Sequence, residues 1–353
     1  MTPTEPHAPI ETPVQTGQRK SWLRKCLGWL LAAVGFIFRF LLIAWGSLAL
    51  YYSNLPSASF RLTLAVMFLA FGIWALWLSR WHWRFPAFAL AYLALLAFWA
   101  TIKPTHDRHW RPEVAVMPRA TIDGDRVRIS GFRNFEYRSA DDFTVHYEDR
   151  EFLLSHLTSM DFFLSFWAEG PVGHTFVSFN FDNAPPLCIS IETRPEVGEG
   201  FDPIASLFKQ FELIYVVGDE RDLVRVRTNY RNENVFLYHM RISPEHARQF
   251  LLVYLERINE LADHPEFYHL LTNNCTINII RYANRVGRVG GLDFRHVLNG
   301  LIDRYLYITG VMDTSLPFAE LRQRSWINKA AQTADQDVDF SEHIRADLPP
   351  RGS

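Results

Sequence analysis

Apolar residues are concentrated in the first third of the 353-residue chain, where they form three long runs separated by short polar segments. The runs cover residues 27–52, 62–78 and 85–102. A membrane-spanning helix needs roughly 20 mainly apolar residues, so the pattern predicts three transmembrane helices within residues 19–103. The second and third runs are near the short end of that range, and two spans with one re-entrant segment are the alternative.

The charges of the short loops predict the orientation of these spans. Basic residues are enriched before the first run and between the second and third: Arg19, Lys20, Arg24, Lys25, Arg80 and Arg84. The loop between the first and second runs carries only Arg61. Because positively charged loops stay in the cytoplasm, we expect a cytoplasmic N-terminus and a position outside the membrane for everything after Lys103.

The rest of the chain predicts one globular domain with a disordered segment at each end of the protein. Residues 1–18 are rich in Pro and Thr, and residues 335–353 form a charged segment with two prolines near its end, so both are expected to be disordered. Residues 104–334 are numerous enough for one domain with a proper core.

Strand-like and helix-like segments are mixed within this domain, which predicts an α+β fold with an antiparallel sheet and packed helices. The strand-like segments are residues 126–130, 143–147, 174–181, 187–193, 213–217, 223–227 and 235–240. The helix-like segments are residues 153–166, 203–211, 244–262, 275–286 and 293–305. Ser243 and Pro244 form a strong helix start, because a capping hydroxyl is followed by a proline at the first helical position.

Two predicted strands, one on either side of Ala184, alternate apolar and polar residues along their length. Such alternation gives each strand one apolar face and one polar face. Folding the strands back on each other about Ala184 pairs His174 roughly with Arg194 and brings Glu192 to the same end of the polar face. We therefore expect these three side chains to lie together at one edge of the sheet.

Cys275 lies in the sequence TNNCT, at the start of a predicted helix that ends near Gly287. Asn and Thr are good N-cap residues, and Gly is a good helix terminator. In the first turn of a helix, free N–H groups and the positive end of the dipole stabilise a thiolate. A thiolate beside the His174 imidazole provides the minimum parts for covalent acyl chemistry, arranged as in papain-like enzymes.

Two structural roles compete with the catalytic one for Cys275. The first is that of an inert core cysteine. The second is a disulfide with Cys188, because both residues are expected in an oxidising compartment. Cys188 lies near the hairpin turn, six strand residues from His174, or about 20 Å away at about 3.3 Å per residue. A Cys275 that lies beside His174 is therefore too distant from Cys188 for easy pairing.

Five segments of the chain together resemble one known family, the Lnb-type periplasmic domain of bacterial lipoprotein N-acyltransferases. The family is similar in fold to circularly permuted papain-like enzymes of the NlpC and lecithin–retinol acyltransferase kind. The resemblance covers roughly residues 104–310. The segments are GFRNFEYRSADDF, VGHTFVSFNF, CISIETR, KQFELIYVVGDERDLVRVRTNYR and PEFYHLLTNNCT.

The resemblance implies a membrane-anchored acyltransferase of the bacterial inner membrane, with its catalytic domain in the periplasm. Cys275 would take a fatty acyl chain from a phospholipid as a thioester. The N-terminal amine of a diacylglyceryl-Cys apolipoprotein would then receive the chain. His174 corresponds to the family's base, and Glu192 is assigned as the third member that orients the imidazole. Neither a cofactor nor a nucleic-acid partner is expected.

Further residues are candidates for substrate contacts. A backbone N–H at the start of the Cys275 helix is the natural oxyanion donor, and Asn274 either assists it or acts only as a helix cap. Glu220 and Arg221, in a charged segment between two predicted strands, either bind the lipid headgroup or amine or form a solvated turn. Arg194 is included because of its predicted place beside His174. The loop with His106, Asp107 and His109 lacks a nearby fourth ligand, so no metal site is predicted.

Two other functions are compatible with the same residues. A Cys–His hydrolase, either a cell-wall peptidase or amidase or a lipase, would share the thioester half of the reaction and differ only in the acceptor. A non-catalytic membrane binding module would use Cys275 and His174 as core residues only.

Overall fold

Three long apolar helices make up the N-terminal part of the chain. The computed structural model describes residues 16–287, 290–291 and 293–351. The chain divides into two units between Ile102 and Lys103. Within the described part of the first unit, each helix is long and apolar enough to cross a membrane. Their bounds are Thr16–Tyr51 (α1), Ala58–Ile73 (α2) and Arg84–Thr101 (α3), and a π-helical turn, Trp74–Leu78, continues α2.

Helices α1 and α2 pack closely through glycines. A Cβ atom added to Gly46 would collide with the Phe68 ring, and one added to Gly72 would collide with the Ile43 side chain. Most other large apolar side chains of the described part of this unit are exposed. Apolar exposure combined with small residues at helix contacts is typical of helices in lipid, where the backbone hydrogen bonds are satisfied internally.

The structure corrects both predicted disordered segments. Residues 1–15 lie outside the described residues, but the helix α1 already includes residues 16–18 of the predicted tail. Residues 335–351 are folded, and Phe340, Ile344 and Leu348 are buried in a core cluster. The prediction failed because the many charged residues of this segment outweighed its few apolar ones.

One large sheet organises the second unit. It has eight strands in the order β1-β2-β9-β8-β7-β6-β10, with β5 paired to β2. Neighbouring strands are antiparallel except at one parallel contact between β2 and β9, Arg133 to Gly218. A separate two-stranded ribbon consists of β3 and β4. The strands are Arg119–Asp123 (β1), Arg126–Arg133 (β2), Glu136–Tyr137 (β3), Phe143–Thr144 (β4), Tyr147–Leu153 (β5), Leu157–Phe166 (β6), His174–Phe181 (β7), Leu187–Arg194 (β8), Glu212–Asp219 (β9) and Asn234–His239 (β10).

Helices complete the second unit and confirm the predicted α+β class. They are Glu220–Leu223 (α4), Pro244–Asp263 (α5), Cys275–Val286 (α6), Ile302–Ile308 (α7), Phe318–Arg324 (α8), Asn328–Thr333 (α9) and Phe340–His343 (α10). The Ser243 side chain caps α5 by accepting from the His246 N–H, as its sequence predicts. Tyr254 of α5 packs edge-on against Phe179 of the sheet and Tyr282 of α6. Both long helices thus cover one face of the sheet.

The second face of the sheet is also buried, by the C-terminal segment. Cys188, Phe176 and Val216 of the sheet share a core cluster with Ile327 of the segment before α9 and Phe340 of α10. The alternation in β7 and β8 predicts a polar face, and that face lies in the interior.

The hairpin register differs from the prediction by two residues. Phe176 pairs with Ser190 and Phe179 with Leu187. Continuing this register places His174 opposite Glu192, whereas the prediction placed it opposite Arg194. The loop between the strands is therefore centred on Asn183 instead of Ala184, and Glu192 becomes the residue that faces the imidazole.

Several segment types predicted from the sequence are wrong. Residues 203–211 were predicted to be helical, but they contain only a short 3₁₀ turn, Ala205–Leu207. Residues 153–166 were predicted to be helical, but Leu157–Phe166 is a strand whose two faces are both buried, and a continuous apolar run does not separate these alternatives. Residues 223–227 were predicted to be a strand, but this region is helical, with Glu220–Leu223 followed by the π-helical turn Val226–Tyr230.

Candidate active site

Cys275 is the first residue of α6 and is almost completely buried, with 2% of its surface exposed. The Asn274 side chain caps the helix by accepting from the Ile277 N–H. The cysteine lines a cavity of about 430 Å³ together with His174, Glu192 and Asn274. The helix start and the edge of the sheet thus bring the predicted thiol and imidazole to one cavity.

His174 begins β7, and its direct hydrogen-bond partner is Ser190. Nε2 of the imidazole lies 2.7 Å from the Ser190 hydroxyl oxygen. The Ser190 hydroxyl in turn lies 2.8 Å from Oε1 of Glu192, whereas Nε2 and Oε1 are 3.9 Å apart. Glu192 therefore reaches the imidazole mainly through Ser190, a residue that the sequence interpretation did not assign to the site.

Glu192 is held in its ionised form by the surrounding charges. Burial raises the pKa of its carboxyl, but the nearby Arg227, His174 and Arg133 outweigh burial and lower the pKa to about 2. Arg227 donates to Glu192 over 2.8 Å and to Glu233 over 2.9 Å. The carboxylate is thus both charged and fixed in position.

The charge of Glu192 determines which tautomer of His174 fits the site. An ionised carboxylate only accepts hydrogen bonds, so the Ser190 hydroxyl must use its proton on Glu192. The Ser190 oxygen then accepts a proton from Nε2–H of His174. Nδ1 of the neutral imidazole is left with a free lone pair, which is the form that a base requires.

The environment of Cys275 favours a thiolate. Burial raises the pKa of the thiol, but the charge of His174 and hydrogen bonds to His174 and Thr175 outweigh burial and lower the pKa to about 6, from 9.0 for an ordinary cysteine. The buried Cys188 shows the opposite behaviour, since burial raises the pKa of its thiol. Both cysteines are free, so the structure contains no Cys188–Cys275 disulfide.

Asn299 is a second residue of the site that the sequence interpretation missed. Its Nδ2 lies 3.7 Å from Sγ of Cys275 and 3.1 Å from Oγ1 of Thr276. Its Oδ1 accepts from the Gly173 N–H over 2.9 Å, which fixes the orientation of the amide. Asn299 follows Cys275 by 24 residues, and no local pattern in the sequence connects the two.

Three predicted substrate contacts do not line this cavity. Arg194 is buried and donates to the backbone carbonyls of Val114 and Ala115. Glu220 is fully buried and pairs with Arg345 of the C-terminal segment. Arg221 lines a different cavity. Asn274 does line the Cys275 cavity, and both ends of its amide are engaged in the helix cap, where Nδ2 donates to Leu270 O.

Comparison with known proteins agrees with the resemblance seen in the sequence. Residues 143–311 match the family model of the Lnb N-terminal periplasmic domain. The matched region contains Cys275, His174, Glu192 and Asn299. Neither a curated protein nor a solved structure matches the chain, and the relation to papain-like enzymes therefore stays a prediction.

Proposed function

We propose that this chain, whose residues 143–311 belong to the Lnb N-terminal periplasmic domain family, is an apolipoprotein N-acyltransferase. It would move a fatty acyl chain from a phospholipid to the N-terminal amine of diacylglyceryl-Cys apolipoproteins. The observation that carries the proposal is the Cys275 thiol, buried in a cavity beside His174 with a lowered pKa. A structural cysteine does not require such a partner.

In the first half-reaction, Cys275 loses its proton to His174 and its sulfur attacks the carbonyl carbon of a phospholipid ester. A C–S bond forms, and the carbonyl oxygen becomes an oxyanion. The backbone N–H at the start of α6 and Nδ2 of Asn299, which lies 3.7 Å from the sulfur, are the available donors for this charge. The C–O bond then breaks, and His174 returns the proton to the departing lysophospholipid.

In the second half-reaction, the free amine of the acceptor cysteine attacks the thioester carbonyl. An N–C bond forms, His174 takes the amine proton, and the C–S bond breaks to release the Cys275 thiolate. Water would compete as an acceptor. The near-complete burial of the sulfur opposes its entry.

The membrane helices fit this reaction because both substrates are anchored in lipid. Confining enzyme and substrates to one membrane raises their effective concentration without any new contact. We propose a multi-pass protein of the inner membrane with a cytoplasmic N-terminus. The exposed Cys26 tests this orientation: a membrane-impermeant maleimide should label it only after spheroplasts are lysed, and labelling in intact spheroplasts would exclude the orientation.

Reconstitution tests the activity directly. The purified full-length protein, incubated with phospholipid vesicles and a synthetic diacylglyceryl-Cys peptide, should yield triacylated peptide and lysophospholipid in equal amounts. Cys275→Ser should abolish both products, whereas Cys26→Ser should leave them unchanged. Release of free fatty acid without triacylated peptide would identify a lipase instead. Full activity of Cys275→Ser would exclude the thioester route.

A further inference from the structure

Exposed apolar side chains surround the mouth of the Cys275 cavity. Trp167, Phe201 and Val172 line the cavity with exposed fractions of 49%, 47% and 36%. The rings of Trp167 and Phe201 contact each other at a centroid distance of 5.8 Å. Exposed apolar side chains that cluster at a cavity are candidates for a ligand or membrane contact.

The rest of the second unit does not show the same concentration. Among its described residues, 15 large apolar side chains are exposed. Three are those that line the cavity, and three more directly follow a lining residue in the chain: Ile204, Leu271 and Leu298. Trp167, Val172 and Phe201 thus bring exposed apolar surface to one cavity, and we call these three side chains the apolar rim.

A cation lies on the wall of the same cavity. Arg231 is exposed and lines the cavity, and within the described part of the chain its guanidinium forms no salt bridge. Oε2 of the nearby Glu233 carboxylate accepts from Arg227 and from the Ser165 hydroxyl, and the charge of Arg231 acts on this carboxylate without a salt bridge. The guanidinium of Arg231 can therefore donate hydrogen bonds to a ligand. Arg227 cannot do so as readily, because Glu192 and Glu233 already accept from it.

Resting on the function proposed above, we infer that Arg231 binds the phosphodiester of the phospholipid acyl donor while the apolar rim contacts its hydrocarbon chains. The guanidinium presents paired N–H donors that match two phosphate oxygens. Trp and Phe are suited to the boundary between headgroups and hydrocarbon, where Trp in particular concentrates. The ester of a lipid held at both places lies near the cavity that contains Cys275. This assigns the headgroup to Arg231 in place of the predicted Arg221.

A binding measurement tests the Arg231 contact without requiring catalysis. Full-length Cys275→Ala protein in detergent is titrated with fluorescent phosphatidylglycerol and with the matching fluorescent diacylglycerol, which lacks phosphate. Adding Arg231→Gln should weaken phosphatidylglycerol binding at least fivefold and leave diacylglycerol binding unchanged. The control Arg324→Gln, which alters an exposed arginine paired with Glu320, should change neither. Equal loss for both lipids, or no loss, would overturn the assignment.

Inorganic phosphate separates a lipid site from a simple anion site. Millimolar phosphate should not displace fluorescent phosphatidylglycerol, because it lacks the apolar contacts. Displacement by millimolar phosphate would show that Arg231 recognises a free anion, and it would overturn the lipid assignment.

The apolar rim needs its own variant and control. The double variant Trp167→Ser, Phe201→Ser should weaken the binding of both fluorescent lipids at least fivefold. Trp326→Ser removes a tryptophan with 44% exposure that does not line the cavity, and it should have no effect. If the double variant retains lipid binding but loses binding of the diacylglyceryl-Cys peptide, the rim serves the acceptor and the inference is wrong.

The two proposals fail in different ways. An inactive transferase would appear as the absence of a Cys275 acyl adduct in the native protein, whatever the lipid titrations give. A wrong lipid site would appear as unchanged lipid affinity in the Arg231→Gln and apolar-rim variants, even when the native protein forms the adduct.

Discussion

The Ser190 hydroxyl oxygen lies 2.7 Å from Nε2 of His174. Oε1 of Glu192, the carboxylate of the site, lies 3.9 Å from the same nitrogen. Paired strands create this contact, since β7 and β8 place both residues on the same face of the sheet. Ser190 links the carboxylate to the imidazole, because its hydroxyl oxygen accepts from Nε2–H of His174 and its proton is donated to Oε1 of Glu192. The orientation of the imidazole is therefore fixed through Ser190. We regard Ser190 as a positioning residue for the proposed base.

Replacing Ser190 by Ala should lower kcat about 10- to 100-fold, because a positioned base contributes roughly 10²- to 10⁴-fold and Ala removes only its orientation. KM for the lipid should change little. The pH profile of kcat/KM should also shift, since the imidazolium loses its acceptor, and a purely structural defect would not move that profile. Ser178→Ala, the same change at a buried position opposite Cys188 on this hairpin, is the matched control. Unchanged kcat and pH profile in Ser190→Ala would contradict the proposed role.

Alkylation of Cys275 by iodoacetamide should follow the lowered pKa of its thiol. The thiolate is the reactive form, so the rate should be low below pH 6, rise through an apparent pKa of about 6, and level off above it. His174→Ala removes the charge that lowers the pKa and leaves burial, which raises it. The inflection should therefore move upward, past 9 if burial dominates.

Mass spectrometry of the modified peptides measures these rates, with Cys26→Ser as the background because Cys26 is exposed. Cys188 of the same protein is the internal control. It is fully buried and its pKa is raised, so it should not react over this range. An inflection for Cys275 near 9 in the protein with His174 intact would show that no thiolate–imidazolium pair forms.

The sequence predicts the strand and the helix that carry the site better than it predicts which residues of the site face each other. The predicted bounds of β7 and α6 agree with the structure, because alternation, the Asn cap and the terminating Gly287 are local signals. The hairpin register failed by two residues, since one loop residue decides it and the polar pattern fits either pairing. The predicted pairing of Arg194 with His174 failed with it.

Long-range contacts account for the other errors. Asn299 and Arg227 reach the site from distant parts of the chain. No regular spacing in the sequence predicts that they contact Cys275 and Glu192. From its sequence neighbours alone, Arg345 is predicted to lie in a disordered, charged tail. Its partners Asp161 and Glu220 lie 184 and 125 residues away. The four-residue spacing of Phe340, Ile344 and Leu348 is a sequence signal for a packed helix, but the charged composition of the segment outweighed it in the prediction.

Asn299→Asp should reduce the rate of Cys275 acylation about 10²- to 10³-fold, the usual effect of removing one oxyanion donor. The substitution keeps the size of the side chain, removes the Nδ2 donor that lies 3.7 Å from the sulfur and adds a negative charge. That charge disfavours the thiolate, so the pKa of Cys275 should rise.

Single-turnover formation of the acyl adduct and the iodoacetamide profile measure the two effects. Asn183→Asp, at an exposed position in the loop between β7 and β8 that does not line the cavity, should leave both unchanged. Normal adduct formation in Asn299→Asp would exclude Asn299 as a donor.

Replacing Arg345 by Met should lower the free energy of unfolding of the second unit by about 3–5 kcal/mol, the range for breaking one side of a buried ion pair. Arg345 donates to Glu220 over 2.6 and 2.8 Å and to Asp161 over 2.9 Å. Both carboxylates are fully buried. Asp161 keeps His239 and Arg351 in the variant, whereas Glu220 loses the only salt-bridge partner that the described residues provide.

Urea unfolding of the full-length protein in detergent, followed by near-ultraviolet circular dichroism, gives the change in the free energy of unfolding. Arg324→Met breaks an exposed pair with Glu320 and should change the free energy by less than about 1 kcal/mol. Equal stability of the two variants would mean that residues 335–351 do not pack on the sheet in solution.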